Sequence, residues 1–289
     1  MSRPLRWLGY AAGAIVVLAV ISVAAIWVLS ERVIYRKWDV AVEPVTVPSD
    51  SATLVRGQHV ISILGCSGCH GRNFEGRVFF DEPRVARVVA PNLTEAVSRY
   101  SNDSLALVIR DGVNSEGRGV LAMPSSAFYN LSGTDIGAII AALRAVPKAP
   151  SAVSLPPNEY RFFGRLGLVL GQFQSEPDRI DRSRPRVGDS GDTTGLGRGR
   201  YLAMTSCIEC HGSELQGAVD TPSLAGAYGY SLDEFVRLAR TATPREPRTL
   251  DLMARVATDR LSHMTDEELG DLHMYLQSLP ATPPSSSDR

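Results

Sequence analysis

All four cysteines of the chain sit in two copies of one pattern: CSGCH, with Cys66, Cys69 and His70, and CIECH, with Cys207, Cys210 and His211. Two thiols separated by two residues and followed directly by histidine form the attachment signature of a c-type haem, in which the sulfurs make thioether bonds to the vinyl groups and the histidine ligates iron. The spacing matches the two vinyls on one porphyrin edge, and His70 or His211 reaches the iron from the same helix as proximal ligand. The remaining ring nitrogen of each histidine is expected to donate to a backbone carbonyl, fixing orientation and tautomer. A thioredoxin-like dithiol needs neither the histidine nor a second copy. Pooled into one site, the four thiolates suffice chemically for tetrahedral zinc, and structural disulfides are a further alternative. However, 141 residues separate Cys66 from Cys207, and each motif stands in its own local repeat. Two covalently bound haem c groups are therefore expected.

The repeat extends past the motifs. RGQHVISILGCSGCHGRNFEG from Arg56 matches RGRYLAMTSCIECHGSELQG from Arg198, and residues 130–147 match 263–280 at a constant offset of 133. Each unit thus has a motif near its start and an amphipathic helix at its end, stopped by Pro147 or Pro280. Short helices are predicted over 55–64 and 199–205, leading into the motifs, and middle helices over 105–110 and 232–239. Ser132 caps one terminal helix, and Thr265 with Glu268 forms a capping box for the other, whose Leu269, Leu272, His273 and Leu276 make an apolar stripe. Neither unit has much strand-like alternation. Residues 40–47 read as an extended stalk interrupted by Pro44.

Ahead of the first unit, residues 8–29 carry no charge, and 22 helical residues suffice to cross a hydrocarbon core about 30 Å thick. A cleaved signal peptide is the alternative, with Arg3 and Arg6 as its basic start and small residues near Ala24 and Ala25 as its cleavage site. The apolar run is longer than a usual signal core and ends in the interfacial residue Trp27, which favours an uncleaved anchor. Arg3 and Arg6 are balanced by Arg32, Arg36 and Lys37 across the span, so topology rests on haem attachment, which occurs outside the cytoplasm.

The chain has 289 residues, 44 % hydrophobic, with 30 Lys and Arg against 31 Asp and Glu, enough apolar content for a real core. Its scattered basic residues argue against nucleic-acid binding. Residues 50–147 are neutral overall, whereas 193–280 carry a net charge of −4, an excess that fits either a basic redox partner or an ordinary solubilising surface.

These features resemble the class I cytochrome c fold, specifically the membrane-anchored diheme cytochromes of bacteria, over residues 54–147 and 196–280. The resemblance implies an all-α protein with two tandem class I cytochrome c domains after an N-terminal transmembrane helix. It divides the chain into an anchor (1–30), a stalk (31–51), domain one (52–147), a packed linker (148–192), domain two (193–280) and a disordered tail (281–289). The family's haem-side proline falls on Pro222, eleven residues after His211. Its counterpart Pro91 follows His70 by 21, so domain one carries an insertion around 79–87. A distal methionine completes iron coordination in the family. Met123, in a Met-Pro pair, takes that place for haem one. In unit two the aligned residue is Val256, and Met253, delivered by the loop 241–252, is preferred over Met264 and His263. His59, His273, Met204 and Met274 read as packing residues.

Six-coordinate irons leave no open position for substrate, and no Ser-His-Asp set, carboxylate pair or nucleotide loop stands in context. The resemblance therefore implies an electron carrier working with redox protein partners, in a respiratory or dehydrogenase chain, from the periplasmic or extracellular face of the cytoplasmic membrane. Alternatives are a diheme subunit of a terminal oxidase or of an alcohol-type dehydrogenase complex, and a diheme peroxidase or haem sensor.

Overall fold

The uncharged N-terminal run folds as one helix, α1 (Arg3–Ile34), in the computed structural model, which describes residues 3–149, 154–218, 221–247 and 249–280. The tail expected over 281–289 lies outside the described residues. A helix pairs its own backbone polar groups, which is what an apolar segment in lipid requires. By length and composition α1 can cross a membrane, a test that a signal sequence also passes, and none of its most apolar window is buried in the protein.

Residues 38–49 form neither helix nor strand, but they do not stand free as a stalk. Val45 N–H donates to Asp103 at 2.9 Å, and Glu43 pairs with Arg110 at 2.6 Å and Arg186 at 2.8 Å, strapping the segment onto the first unit.

The first unit begins with α2 (Ser51–Leu64), capped by Asp50, and turns at Gly65 into the short α3 (Cys66–His70). It continues through α4 (Leu93–Arg99) and α5 (Asn102–Ala106), and a π-helical turn over Leu107–Asp111 replaces the end of the predicted middle helix. Next come α6 (Ser125–Phe128) and α7 (Gly133–Ala145), the latter capped by Ser132. The close crossing of α2 and α7 requires Gly57: a Cβ there would lie 2.0 Å from the Ala138 carbonyl oxygen. Val60, Leu64, Ile136 and Ile140 seal the contact, each at most 3 % exposed.

The insertion that sequence periodicity left without structure is a β-hairpin, β1 (Arg77–Glu82) and β2 (Ala86–Ala90). Beyond the first unit, β3 (Glu159–Tyr160) pairs antiparallel with β2, with Ala86 opposite Tyr160, completing a three-stranded sheet. The pairing of β2 with β3 reaches across some 70 residues, which local alternation cannot report. The chain then forms α8 (Phe162–Val169), packed on α1, and α9 (Glu176–Arg179), whose buried Glu176 accepts from Ser126 N–H at 2.7 Å.

A second helical frame follows: α10 (Gly195–Ser206), α11 (Ile208–His211), α12 (Leu232–Thr241), α13 (Asp251–Asp259) and α14 (Asp266–Ser278). Both bonds of the Thr265 and Glu268 capping box form. Leu269, Leu272 and Leu276 are buried. Here α10 crosses α14 as α2 crosses α7, because a Cβ on Gly199 would lie 2.0 Å from the Asp271 carbonyl oxygen. Ala138 and Asp271 are related by the 133-residue offset, and Gly57 and Gly199 follow the matched Arg56 and Arg198, so the sequence repeat is also a packing repeat. Between the two frames, Tyr201 donates to Asp135 at 2.7 Å and His59 pairs with Glu268 at 2.8 Å.

Candidate functional site

Both Cys-x-x-Cys-His segments are single helical turns that end in the same backbone trace. Gly71 and Gly212 follow the histidines at φ of 88° and 83°, conformations that only glycine adopts without strain. Three residues on, Phe74 and Leu215 stand at φ of 59° and 57°, a left-handed region unusual for bulky side chains. Gly76 N–H returns to the His70 carbonyl and Gly217 N–H to the His211 carbonyl, each at 2.8 Å. Leu93 N–H then meets the Phe74 carbonyl at 2.8 Å, as Leu224 N–H meets that of Leu215 at 2.9 Å.

This trace aims the imidazoles. His70 Nδ1–H donates to the Pro91 carbonyl at 3.0 Å, and His211 Nδ1–H to the Pro222 carbonyl at 2.8 Å. A carbonyl only accepts, so the proton sits on Nδ1 and Nε2 keeps its lone pair, the form a metal-ligating histidine needs. Burial also holds the His70 pKa below the ordinary imidazole value, which keeps the ring neutral. The hairpin occupies the ten extra residues between His70 and Pro91 and still returns Pro91 to the place Pro222 takes in the second unit.

Burial pushes the Cys66 thiol up to about 11 and the Cys207 thiol up to about 12, so both are S–H groups at neutral pH. All four cysteines are free of disulfides. Among the described residues no three His, Cys, Asp or Glu side chains converge as a metal cluster.

In the first unit Cys66, Cys69 and His70 face a cavity of about 1080 Å³ walled by apolar side chains including Leu93, Val97, Leu105 and Ile109. Met123 and Pro124 line the same cavity. A large apolar chamber with two thiols, a lone-pair imidazole and a thioether has the donor set and the apolar walls that would fit a covalently attached haem. In the second unit Cys207, Cys210 and His211 supply the matching attachment set, but Met253 is not on a loop. It lies in the first turn of α13, half-buried against the core. Met264 is 1 % exposed, in the core just ahead of the Thr265 cap, and His263 is exposed. His273 Nε2 is bound to the Tyr230 carbonyl at 2.8 Å.

One residue that sequence reasoning missed joins the two motifs. Arg260 pairs with Glu209, inside CIECH, at 3.1 Å, and packs so closely on Gly65 that a Cβ there would lie 2.4 Å from its Nε. Its side chain lines the first cavity, and its charge acts on Cys69 and Cys210 alike. No local motif marks it, because its position depends on the packing of one unit on the other.

The cytochrome c family matches residues 196–280. Over 271 residues the chain is 22 % identical to the fructose dehydrogenase cytochrome subunit of Gluconobacter japonicus, covering 83 % of this chain and 55 % of that relative. The chain thus spans about half the relative's length. With the His211 trace and the crossed helices α10 and α14 inside the matched region, residues 196–280 form a cytochrome c domain, a module whose family chemistry is electron transfer through covalently bound haem c.

Proposed function

We infer that the chain is a membrane-anchored diheme electron carrier, with one haem c on Cys66 and Cys69 and a second on Cys207 and Cys210. The observation that carries this reading is the shared backbone trace: everything that positions His211 in the cytochrome c domain recurs around His70. The units 52–147 and 193–280 then form two cytochrome c domains joined by a packed linker. When bound, each haem c supplies a one-electron iron couple. His70 and His211 hold the proximal positions through Nε2, with Nδ1 anchored to Pro91 and Pro222. Met123 and Met253 would be the distal ligands, soft thioethers that would favour ferrous iron and raise the potential. Arg260 contacts Gly65 beside the first motif and Glu209 within the second, which supports reading the two motifs as neighbouring parts of one relay.

On this reading α1 is an uncleaved anchor in the cytoplasmic membrane, and both haem domains face the periplasm or cell exterior. The partners are redox proteins of a respiratory or dehydrogenase complex. The likeness to a dehydrogenase's cytochrome subunit favours the dehydrogenase setting over a terminal oxidase.

Intact mass and a pyridine haemochrome assay on purified protein test the core of the reading. Two haems that survive acid extraction are expected, and one after the double change Cys66→Ala and Cys69→Ala. A ratio of one or zero in the unaltered chain overturns it.

A further inference from the structure

Helix α8 and the turn after it carry an exposed apolar face. Among the described residues outside α1, twelve large apolar side chains are exposed, and four of them fall between 162 and 173. These are Phe162, Phe163, Leu170 and Phe173, at 37, 52, 63 and 48 % exposure. Phe162, Phe163 and Leu170 recur at helical spacing on one side, while Gly164, Gly167 and Leu168 are buried on the other. The buried side is fixed on the hairpin: a Cβ on Gly164 would lie 2.2 Å from the Val85 carbonyl oxygen, and Phe163 N–H donates to the Arg84 carbonyl at 3.1 Å. The exposed face is therefore held outward by rigid backbone contacts.

Its location says what covers it. Arg165, in the middle of α8, donates to Ser30 at 2.9 Å, pairs with Glu31 at 2.7 Å and stacks 4.3 Å over the Trp27 ring. At a rise of about 1.5 Å per residue, a hydrocarbon core of about 30 Å entered at Leu8 is left near Trp27. Arg165 thus clamps α8 to α1 at the level where lipid tails give way to headgroups. Aromatic side chains and arginine are the residues that this boundary favours. An apolar helix face with basic residues at its flank, lying in that plane, has the composition of an interfacial helix.

We propose that α8 and the turn after it lie at the membrane surface, with Phe162, Phe163, Leu170 and Phe173 entering the headgroup and upper acyl region beside the anchor. The proposal rests on the reading of α1 as a transmembrane anchor and adds a second, peripheral contact that fixes the orientation of the first unit. Trp27, Ile34, Phe162 and Arg165 also line the cavity that holds Cys66 and His70, so this contact seats one wall of the first site at the bilayer surface.

Photocrosslinking of the full-length, haem-loaded chain in nanodiscs of phosphatidylcholine and phosphatidylglycerol, one chain per disc, tests it. Benzoylphenylalanine replaces Phe163 or Leu170 in turn, Val17 as the reference inside α1, and Leu232 as an exposed reference on the second unit. Haem content reports that each variant is folded. Lipid adducts, read by intact mass, are expected from positions 17, 163 and 170, at least tenfold above position 232. Adducts from 17 with background yield from 163 and 170 overturn the surface helix and leave the anchor standing. Absence of adducts from 17 as well overturns the anchor reading itself. Crosslinks from 163 and 170 to another protein in native membranes, in place of lipid, also overturn the proposal.

Discussion

The two units share the backbone bonds that aim their histidines and differ at the candidate distal methionines. Around His70 and His211 the matching glycines, a left-handed residue at the matching position (Phe74 or Leu215) and the same imidazole-to-carbonyl bond recur, although the loop to Pro91 is ten residues longer than the loop to Pro222. Opposite the histidines the resemblance ends: Met123 lies in a loop facing a large cavity, whereas Met253 lies on α13 and packs against the core. The backbone that aims the two imidazoles is one short local segment, and it is the part the two units repeat. The far side is built from separate elements and can diverge.

The sharpest break between the units is at the distal ligands. Met123→Ala is expected to remove the methionine-to-iron charge-transfer absorbance of one haem and lower its potential, leaving the other intact; Met253→Ala should do the same to the second haem. Met264→Ala removes a side chain that is 1 % exposed, so it should cost about 2–5 kcal/mol in denaturant unfolding with both absorbance signatures retained. If Met264→Ala silences one haem and Met253→Ala silences neither, the distal assignment of the second unit is wrong.

The same contrast explains what could be read from residue order. Motif spacing, the Ser132 cap and the Thr265 box act over four residues, and all of them are visible in sequence. The hairpin was not, since β1 and β2 are short and β3 comes from Glu159–Tyr160. Helix α13 was missed because its N-cap position holds Leu250, with no side-chain cap bond to announce a start after Pro244 and Pro247. The strap over 38–49 was legible as extended chain, but its attachment through Glu43 involves Arg110 and Arg186, 67 and 143 residues away.

A smaller effect tests whether the frames are equivalent. Gly57→Ala and Gly199→Ala each place a methyl against a carbonyl oxygen in a helix crossing, with backbone as the opposing atom in both. Each should lose about 3 kcal/mol, the upper end of the overpacking range, with the loss confined to its own unit. Thermal unfolding followed in the absorbance of each haem measures this. A tolerated Gly57→Ala beside a disruptive Gly199→Ala would show that only the second crossing is tight.

Smaller again is the effect of the charge shared by the sites. Arg260→Met removes a positive charge near both attachment segments and leaves Glu209 unpaired. Both changes disfavour the added electron, so both potentials should fall. A single charge acting at an effective dielectric near 20 is worth on the order of 1 kcal/mol, about 40 mV for one electron. Redox titration of the variant decides the point, and a shift confined to one haem would place Arg260 with that unit alone.

The smallest expected effect concerns the strap over residues 38–49. The hydrogen bond from Arg186 holds the Glu43 carboxyl below the usual carboxylate range, against some opposition from burial and with help from the charges of Arg186 and Arg110. The Glu43 side chain is 50 % exposed, so solvent screening limits the pair to about 0.2–1 kcal/mol. Because its folded pKa is lowered, this contribution is complete above the ordinary glutamate value and fades as pH falls through the depressed one. Asp111, whose pKa burial raises, has the opposite sign, and protonation there relieves a cost of folding. Hydrogen exchange at the Val45 amide, which donates to Asp103, is the local reporter. Once the intrinsic pH dependence is divided out, its protection should stay level from neutrality down to about pH 4.5 and drop only below that. Glu43→Gln should reduce protection already at neutral pH and flatten the acid step, with amides of α10 and α14 unaffected. Unchanged Val45 protection in that variant would assign the strap to the Asp103 bond and not to the ion pair.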